Sequence, residues 1–240
     1  GVQKLMDYPK PVRLIQKLLA SYRNTHDCYV LDFFSGSATT AHAVMELNAA
    51  DDGKRKFIMV QLPEETDIKG SAYKAGYKNI CEIGKERIRR AGQKIKDAGL
   101  TAQGLDIGFR VLKCDTSNMK DVYYRPDEVT QMTIGDYASN IKNDRTPEDL
   151  LFQVMLDLGI LLSSKIEETT IAGCKVFNVA DGFLYACFDS DVSDEVVTAI
   201  AKEQPYYAVF RDSGMASDSV LTNFDQIFAA ISPSTVRKVL

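Results

Sequence analysis

The sequence predicts an α/β protein: a partial sheet of parallel type followed by a second, smaller α/β domain. Short apolar runs that end in turn residues alternate with segments whose apolar residues recur at helical spacing, and after a polar stretch the alternation resumes. Of the 240 residues, 45% are hydrophobic and 26% charged, which excludes disordered, collagen-like and coiled-coil classes.

Residues 12–22 place Val12, Ile15, Leu18, Leu19 and Tyr22 on one helical face, with Pro11 where a first-turn proline is tolerated. Residues 29–34 form an apolar run that ends in Ser35-Gly36-Ser37-Ala38, after which 39–47 resume helical spacing, so strand, tight turn and helix follow one another. A second buried-type strand spans 57–62 and stops at Pro63, because proline donates nothing to a ladder. A basic amphipathic helix follows: Ile80, Ile83, Ile88, Ala91 and Ile95 make its apolar face, Lys85, Arg87, Arg89, Arg90, Lys94 and Lys96 crowd the others, and Gly99 ends it. On this pattern Arg87, Arg89 and Arg90 belong to a solvated outer face, with contact to DNA phosphates the competing reading. Residues 109–114 alternate like a strand.

The polar residues after about 115 read as a linker with one short helix, giving expected divisions at 1–120, 121–146 and 147–240. The last division opens with a helix over 147–162, signalled by Pro147, Glu148 and Asp149. Strands at 175–178 and 183–188 flank the turn Ala180-Asp181-Gly182. A helix at 193–202, a strand at 206–210, a helix at 217–231 with Val220, Leu221, Phe224, Ile227, Phe228 and Ile231 on one face, and a strand at 236–240 complete the pattern.

Charge is uneven along the chain. Residues 1–120 hold 20 Lys and Arg against 14 Asp and Glu, whereas residues 121–240 hold 9 against 19. The first half therefore suits an anionic partner and the second suits protein or solvent, a plain acidic surface being the competing reading. The five cysteines are odd in number and widely spaced, with no Cys-x-x-Cys pair and only two histidines to assist, so reduced thiols and no metal site are expected. No apolar run approaches the roughly 18 residues of a membrane span, and the first residues lack a secretory pattern, so a cytoplasmic location is expected. Gly1 in place of Met suggests a piece of a longer protein.

The candidate site is Asp32 to Thr40. A strand feeding a helix through small residues leaves free N–H groups at the helix start, where an anion is favoured, and Gly36 permits close approach to the backbone. Asp32 is placed to accept from a ligand ammonium, and Phe34 to cover an apolar ligand surface. A nucleotide P-loop is excluded because no lysine follows the turn, and a dinucleotide fingerprint because only one glycine is present. An ordinary strand-to-helix turn remains the alternative.

Asp32-Phe33-Phe34-Ser35-Gly36-Ser37-Ala38-Thr39-Thr40 resembles the first S-adenosylmethionine motif of amino-methylating DNA methyltransferases, D-x-F-x-G-S-G-T-T, with Ala38 in place of its second glycine. Tyr8-Pro9-Lys10-Pro11-Val12-Arg13-Leu14-Ile15 resembles the lysine-proline motif that opens the helix before the cofactor strand. The Val60–Glu65, Ile80–Ile88 and Gly108–Val111 segments are similar to the methylation subunit of type III restriction-modification systems. The likeness spans nearly the whole chain, resting on looser pattern after about residue 120.

The resemblance implies a partial Rossmann-like methyltransferase sheet from the permuted class of adenine N6 DNA methyltransferases, with S-adenosylmethionine as cofactor. It implies DNA, a second methylation subunit and a restriction subunit with helicase and nuclease activities as partners, and an assembly role for residues 147–240. Carried onto this chain, the cofactor residues are Lys10, Pro11, Asp32, Phe34, Ser35, Gly36, Ser37, Thr39, Thr40 and Gln61. Gln61 stands where many relatives have an acidic residue on the ribose hydroxyls, a task Glu64 or Glu65 can share. No catalytic residue is assigned, because the Asp/Asn-Pro-Pro-Tyr/Phe tetrapeptide that holds the flipped adenine is absent from the sequence. Its nearest lookalike, Gln204-Pro205-Tyr206-Tyr207, reads as a strand entry. The chain alone is thus expected to be inactive; the alternatives are a subunit-interaction module with an idle cofactor site and a small-molecule methyltransferase.

Overall fold

A computed structural model describes residues 9–22, 25–99, 105–120 and 140–240. The chain divides into two compact units, Gly1–Lys113 and Cys114–Leu240. Tyr8 of the lysine-proline motif and residues 121–139 of the expected linker lie outside the described residues.

In the first unit the order is α1 (Val12–Ala20), β1 (Tyr29–Asp32), α2 (Thr39–Asp51), β2 (Lys56–Met59), the short α3 (Ser71–Lys74) and α4 (Ile80–Asp97). β1 and β2 pair in parallel, with Tyr29 opposite Lys56 and Asp32 opposite Met59. A parallel pair needs a crossover, and α2 supplies it. On one face Phe57 and Met59 pack against Ala38, Ala41, Met45, Ile88, Ala91 and Ile95 of α2 and α4 and the turn before them. Among the described residues nothing covers the opposite face, where Leu31 is 59% exposed and its partner Ile58 47%. Where the sequence predicts buried-type strands, the helices among the described residues cover one face. Both strands are also shorter than expected, ending at Asp32 and Met59.

Residues 109–114 are not a strand. Leu105, Ile107 and Phe109 do alternate, packing against the α2–α4 cluster, but this segment extends over the core without joining a ladder.

The second unit is a five-stranded mixed sheet in the order β3-β4-β5-β6-β7, comprising β3 (Ile166–Ile171), β4 (Cys174–Val179), β5 (Leu184–Cys187), β6 (Tyr207–Phe210) and β7 (Val236–Val239). β3, β4 and β5 run antiparallel to their neighbours in turn, whereas β5, β6 and β7 are parallel. The parallel crossovers are α6 (Asp194–Lys202) and α7 (Asp218–Ile231), and α5 (Pro147–Asp157) precedes the sheet. Val196, Ile200, Phe224 and Phe228 of α6 and α7 meet Val176, Cys187 and Phe210 on one face. Leu151 and Met155 of α5 meet Phe177, Leu184 and Val209 on the other. Two faces covered in this way bury every residue of β5.

α5 starts at a capping box in which Thr146 and Asp149 bond reciprocally. It ends at Asp157, short of the expected 162. The reason is a Schellman closure: Gly159 takes φ +68°, its N–H reaches Leu156 O at 3.1 Å, and the Ile160 N–H reaches Met155 O at 2.8 Å. β3 was not anticipated. Its Glu167, Glu168, Thr169 and Thr170 are exposed on an edge strand, where charged and polar side chains replace the apolar pattern. Gln204 to Tyr207 enters β6, with the Tyr206 ring stacked on Phe183 at 5.1 Å. All five cysteines are free.

Candidate functional site

The turn from Asp32 to Thr39 lies at the carboxyl end of β1, the end of a parallel sheet where ligands are bound in open α/β folds. The turn is anchored to both strands: Val60 N–H donates to Asp32 O at 2.8 Å, and Ser35 N–H to Val60 O at 3.2 Å. Gly36 and Ala38 both adopt left-handed backbone, at φ 51° and 57°. For Gly36 that conformation is unstrained. Ala38 holds it against its own Cβ, and as the residue preceding α2 it offers no side-chain cap to the first-turn amides.

Side chains close the loop. The Thr40 hydroxyl donates to Asp32 Oδ2 at 2.6 Å, and Phe34 N–H approaches Asp32 Oδ1 at 3.3 Å. Gln61 reaches over from the end of β2, its Oε1 accepting from Gly36 N–H at 2.7 Å and its amide donating to Leu62 O at 3.2 Å. Two hydrogen-bonded sets therefore hold the turn, Asp32 with Phe34 and Thr40, and Gly36 with Gln61. Ser35, Ser37, Thr39 and Thr40 are buried beneath it, whereas the Phe34 ring stands 76% exposed beside Phe33. Lys10 and Pro11 are exposed at the start of α1, and no hydrogen bond joins either to the turn among the described residues. α1 itself lies against α2, where Gln16 donates to Glu46 at 2.9 Å.

Helix α4 contributes two residues that the sequence pattern did not assign to the site. Gly84 lets the helix approach the turn so closely that a Cβ there would sit 3.4 Å from Gly36 O. Arg87 corrects the expected solvated basic face, since it is 5% exposed and its Nη1 donates to Ser37 Oγ at 2.7 Å. Burial pulls its pKa below the ordinary arginine value. Arg89 and Arg90 do lie outside, paired with Glu86. The signal available in the sequence was position: Arg87 falls among the buried residues Gly84, Ile88 and Ala91, and Ile88 and Ala91 pack against α2.

Arg87 Nε also points at His42 Nδ1, at 3.5 Å, and His42 Nε2 lies 3.1 Å from Glu46 Oε1. An arginine only donates, so Nδ1 is the acceptor and the histidine carries its proton on Nε2, which it gives to Glu46. Desolvation lowers the His42 pKa against the pull of Glu46, in keeping with a neutral ring.

Among the described residues no three His, Cys, Asp or Glu side chains come together as a metal set, and no helix is long and apolar enough to cross a membrane. The arrangement presents an acceptor carboxylate, a small-residue turn and an uncapped helix start backed by a buried cation. A ligand with an ammonium, an anionic oxygen and an apolar surface matches it.

Residues 3–91 match the DNA methylase family. The Mod subunit of the type III restriction-modification enzyme StyLTI from Salmonella typhimurium is 40% identical over 135 residues, covering 56% of this chain and 19% of the relative. The EcoP15I Mod subunit of Escherichia coli is 33% identical over 196 residues, 80% of this chain and 28% of the relative. The EcoPI Mod subunit of Escherichia phage P1 is 33% identical over 202 residues, 83% of this chain and 30% of the relative. The chain thus spans less than a third of the length of each of these relatives.

Proposed function

We propose that the first unit, whose residues 3–91 match the DNA methylase family, is the cofactor-binding part of a Rossmann-like adenine N6 DNA methyltransferase, working within a longer methylation subunit of a type III system. The observation that carries this is the turn between β1 and α2. Asp32 is held by Thr40 at 2.6 Å and Gly36 by Gln61 at 2.7 Å, beside a helix start that lacks a side-chain cap. S-adenosylmethionine fits this donor set. Asp32 would hold its ammonium, the first-turn amides of α2 its carboxylate, and the exposed Phe34 ring its adenine. When bound, it supplies a methyl group on a sulfonium. The chain's own part is to hold and orient the amino-acid end, with Ser35, Ser37 and Thr39 packed beneath the turn and Lys10 and Pro11, just before α1, assigned to the same ligand by the resemblance. Gln61 either keeps its bond to Gly36 or yields it to a ribose hydroxyl.

No Asp/Asn-Pro-Pro-Tyr/Phe tetrapeptide occurs in the sequence, so no residue here positions an adenine amino group, and the chain alone does not methylate DNA. The bare apolar face of Leu31 and Ile58 supports the same reading, since it matches the inner surface of a sheet that other parts of a longer chain cover. Residues 147–240 are assigned to assembly with another methylation subunit and with the restriction subunit on the family resemblance, and the acidic excess of residues 121–240 disfavours phosphate contact there. Such a complex acts on DNA in the cytoplasm.

The test is calorimetric titration with S-adenosylhomocysteine up to millimolar ligand. Saturable binding that Asp32→Ala abolishes is expected. Identical heats for the two proteins refute the assignment, and leave a subunit-interaction module with an idle site as the better reading.

A further inference from the structure

We propose that Arg87 is a positioning residue for the carboxylate end of the cofactor, acting through the Ser37 hydroxyl. The inference rests on the reading of the turn as an S-adenosylmethionine site and adds to it a residue from a separate helix.

The argument begins with burial. A guanidinium that is 5% exposed has lost its hydration, a loss that a protein ordinarily offsets with a carboxylate in direct contact. Among the described residues Arg87 has none. Its hydrogen-bond partners there are the Ser37 hydroxyl and the His42 ring, and Glu46 bonds to the far nitrogen of that ring. The cation is directed instead at the turn, where Ala38 leaves the first amides of α2 without a side-chain cap. Helix start and guanidinium then place positive potential on one spot.

Hydrogen-bond polarity supplies the second step. Arg87 donates, so Ser37 Oγ accepts. The serine proton is thereby left for another acceptor, and among the described residues none takes it. Polarised by a charged donor at 2.7 Å, the hydroxyl is a stronger donor than a free serine. An oxygen of the ligand carboxylate is the acceptor that completes the chain Glu46–His42–Arg87–Ser37. A role in contacting DNA phosphates is not open to this side chain, because its charge faces inward.

The experiment measures binding of S-adenosylmethionine and of its decarboxylated analogue to the 240-residue chain, to Arg87→Gln, to Arg87→Lys and to Ser37→Ala. Wild type is expected to prefer the carboxylate-bearing ligand. Arg87→Gln should weaken that ligand by about tenfold and leave the analogue unchanged, in line with loss of one charge-assisted bond. Arg87→Lys should retain part of the preference. Ser37→Ala keeps the cation and removes the intermediary; it too should lose the preference, and it answers the question if Arg87→Gln does not fold. Equal weakening of both ligands, or a preference that survives Arg87→Gln or Ser37→Ala, overturns the role of Arg87 while the site stands. Wild type binding neither ligand overturns the site and this inference together.

Discussion

The Gln61 side chain accepts a hydrogen bond from the Gly36 amide at 2.7 Å, tying the end of one parallel strand to the turn that follows the other. The family resemblance implies a ribose role for Gln61, and in the structure the same side chain holds the turn. Replacing Gln61 by Ala leaves the left-handed Gly36 without this restraint. The expected cost is about 1 kcal/mol of stability, the ordinary worth of one neutral hydrogen bond. Urea denaturation of the two proteins checks it, and a change below the error of the extrapolation removes the turn-holding role.

His42 makes the stability of the first unit depend on pH. Its folded pKa lies below the usual 6.5 because burial disfavours the charged ring, outweighing Glu46 and reinforced by Arg87 and Lys94. The unfolded chain therefore binds the extra proton first, and stability falls as pH drops below about 6.5. Above that value the penalty is absent. Comparing wild type with His42→Gln between pH 5 and 8 isolates the effect from the carboxylates; parallel profiles contradict it.

The five thiols should separate by accessibility. Cys114 is exposed, whereas Cys187 is fully buried and its pKa is pushed up to about 12, mainly by desolvation. Iodoacetamide at neutral pH is expected to label Cys114 first and to reach Cys174 and Cys187 only after denaturation. Mass spectrometry of the peptides reads the order, and early labelling of Cys187 contradicts the packing of β5.

Gly159 ends α5 at φ +68°. An alanine there pays the left-handed penalty, so Gly159→Ala should lower stability by about 1 kcal/mol. A thermal melt that leaves Tm unchanged would show that the Schellman closure adds nothing.

What the sequence made legible follows from how each element is buried. β1, the turn and α2 were readable because an apolar run, small residues and a helical repeat succeed one another without interruption. In the second unit the crossover helices were readable because their apolar faces are continuous, as at Val196, Val197 and Ile200. β3 was not, since an edge strand carrying Glu167 and Glu168 shows no apolar alternation. Residues 109–114 misled for the opposite reason: Phe109 packs at strand-like spacing, yet among the described residues the segment joins no sheet. Arg87 was hidden by composition. Five basic residues surround it on α4, and only its register with Gly84 and Ile88 distinguishes the one that turns inward.

The assignment of the turn as the cofactor site is tested most directly by residue-resolved nuclear magnetic resonance during titration with S-adenosylhomocysteine. The account predicts that the amide resonances of Asp32, Phe34, Ser35, Gly36, Ser37, Thr39, Thr40 and Gln61 move together along one saturable curve. Resonances that stay in place to millimolar ligand, or shifts confined to the second unit, contradict it.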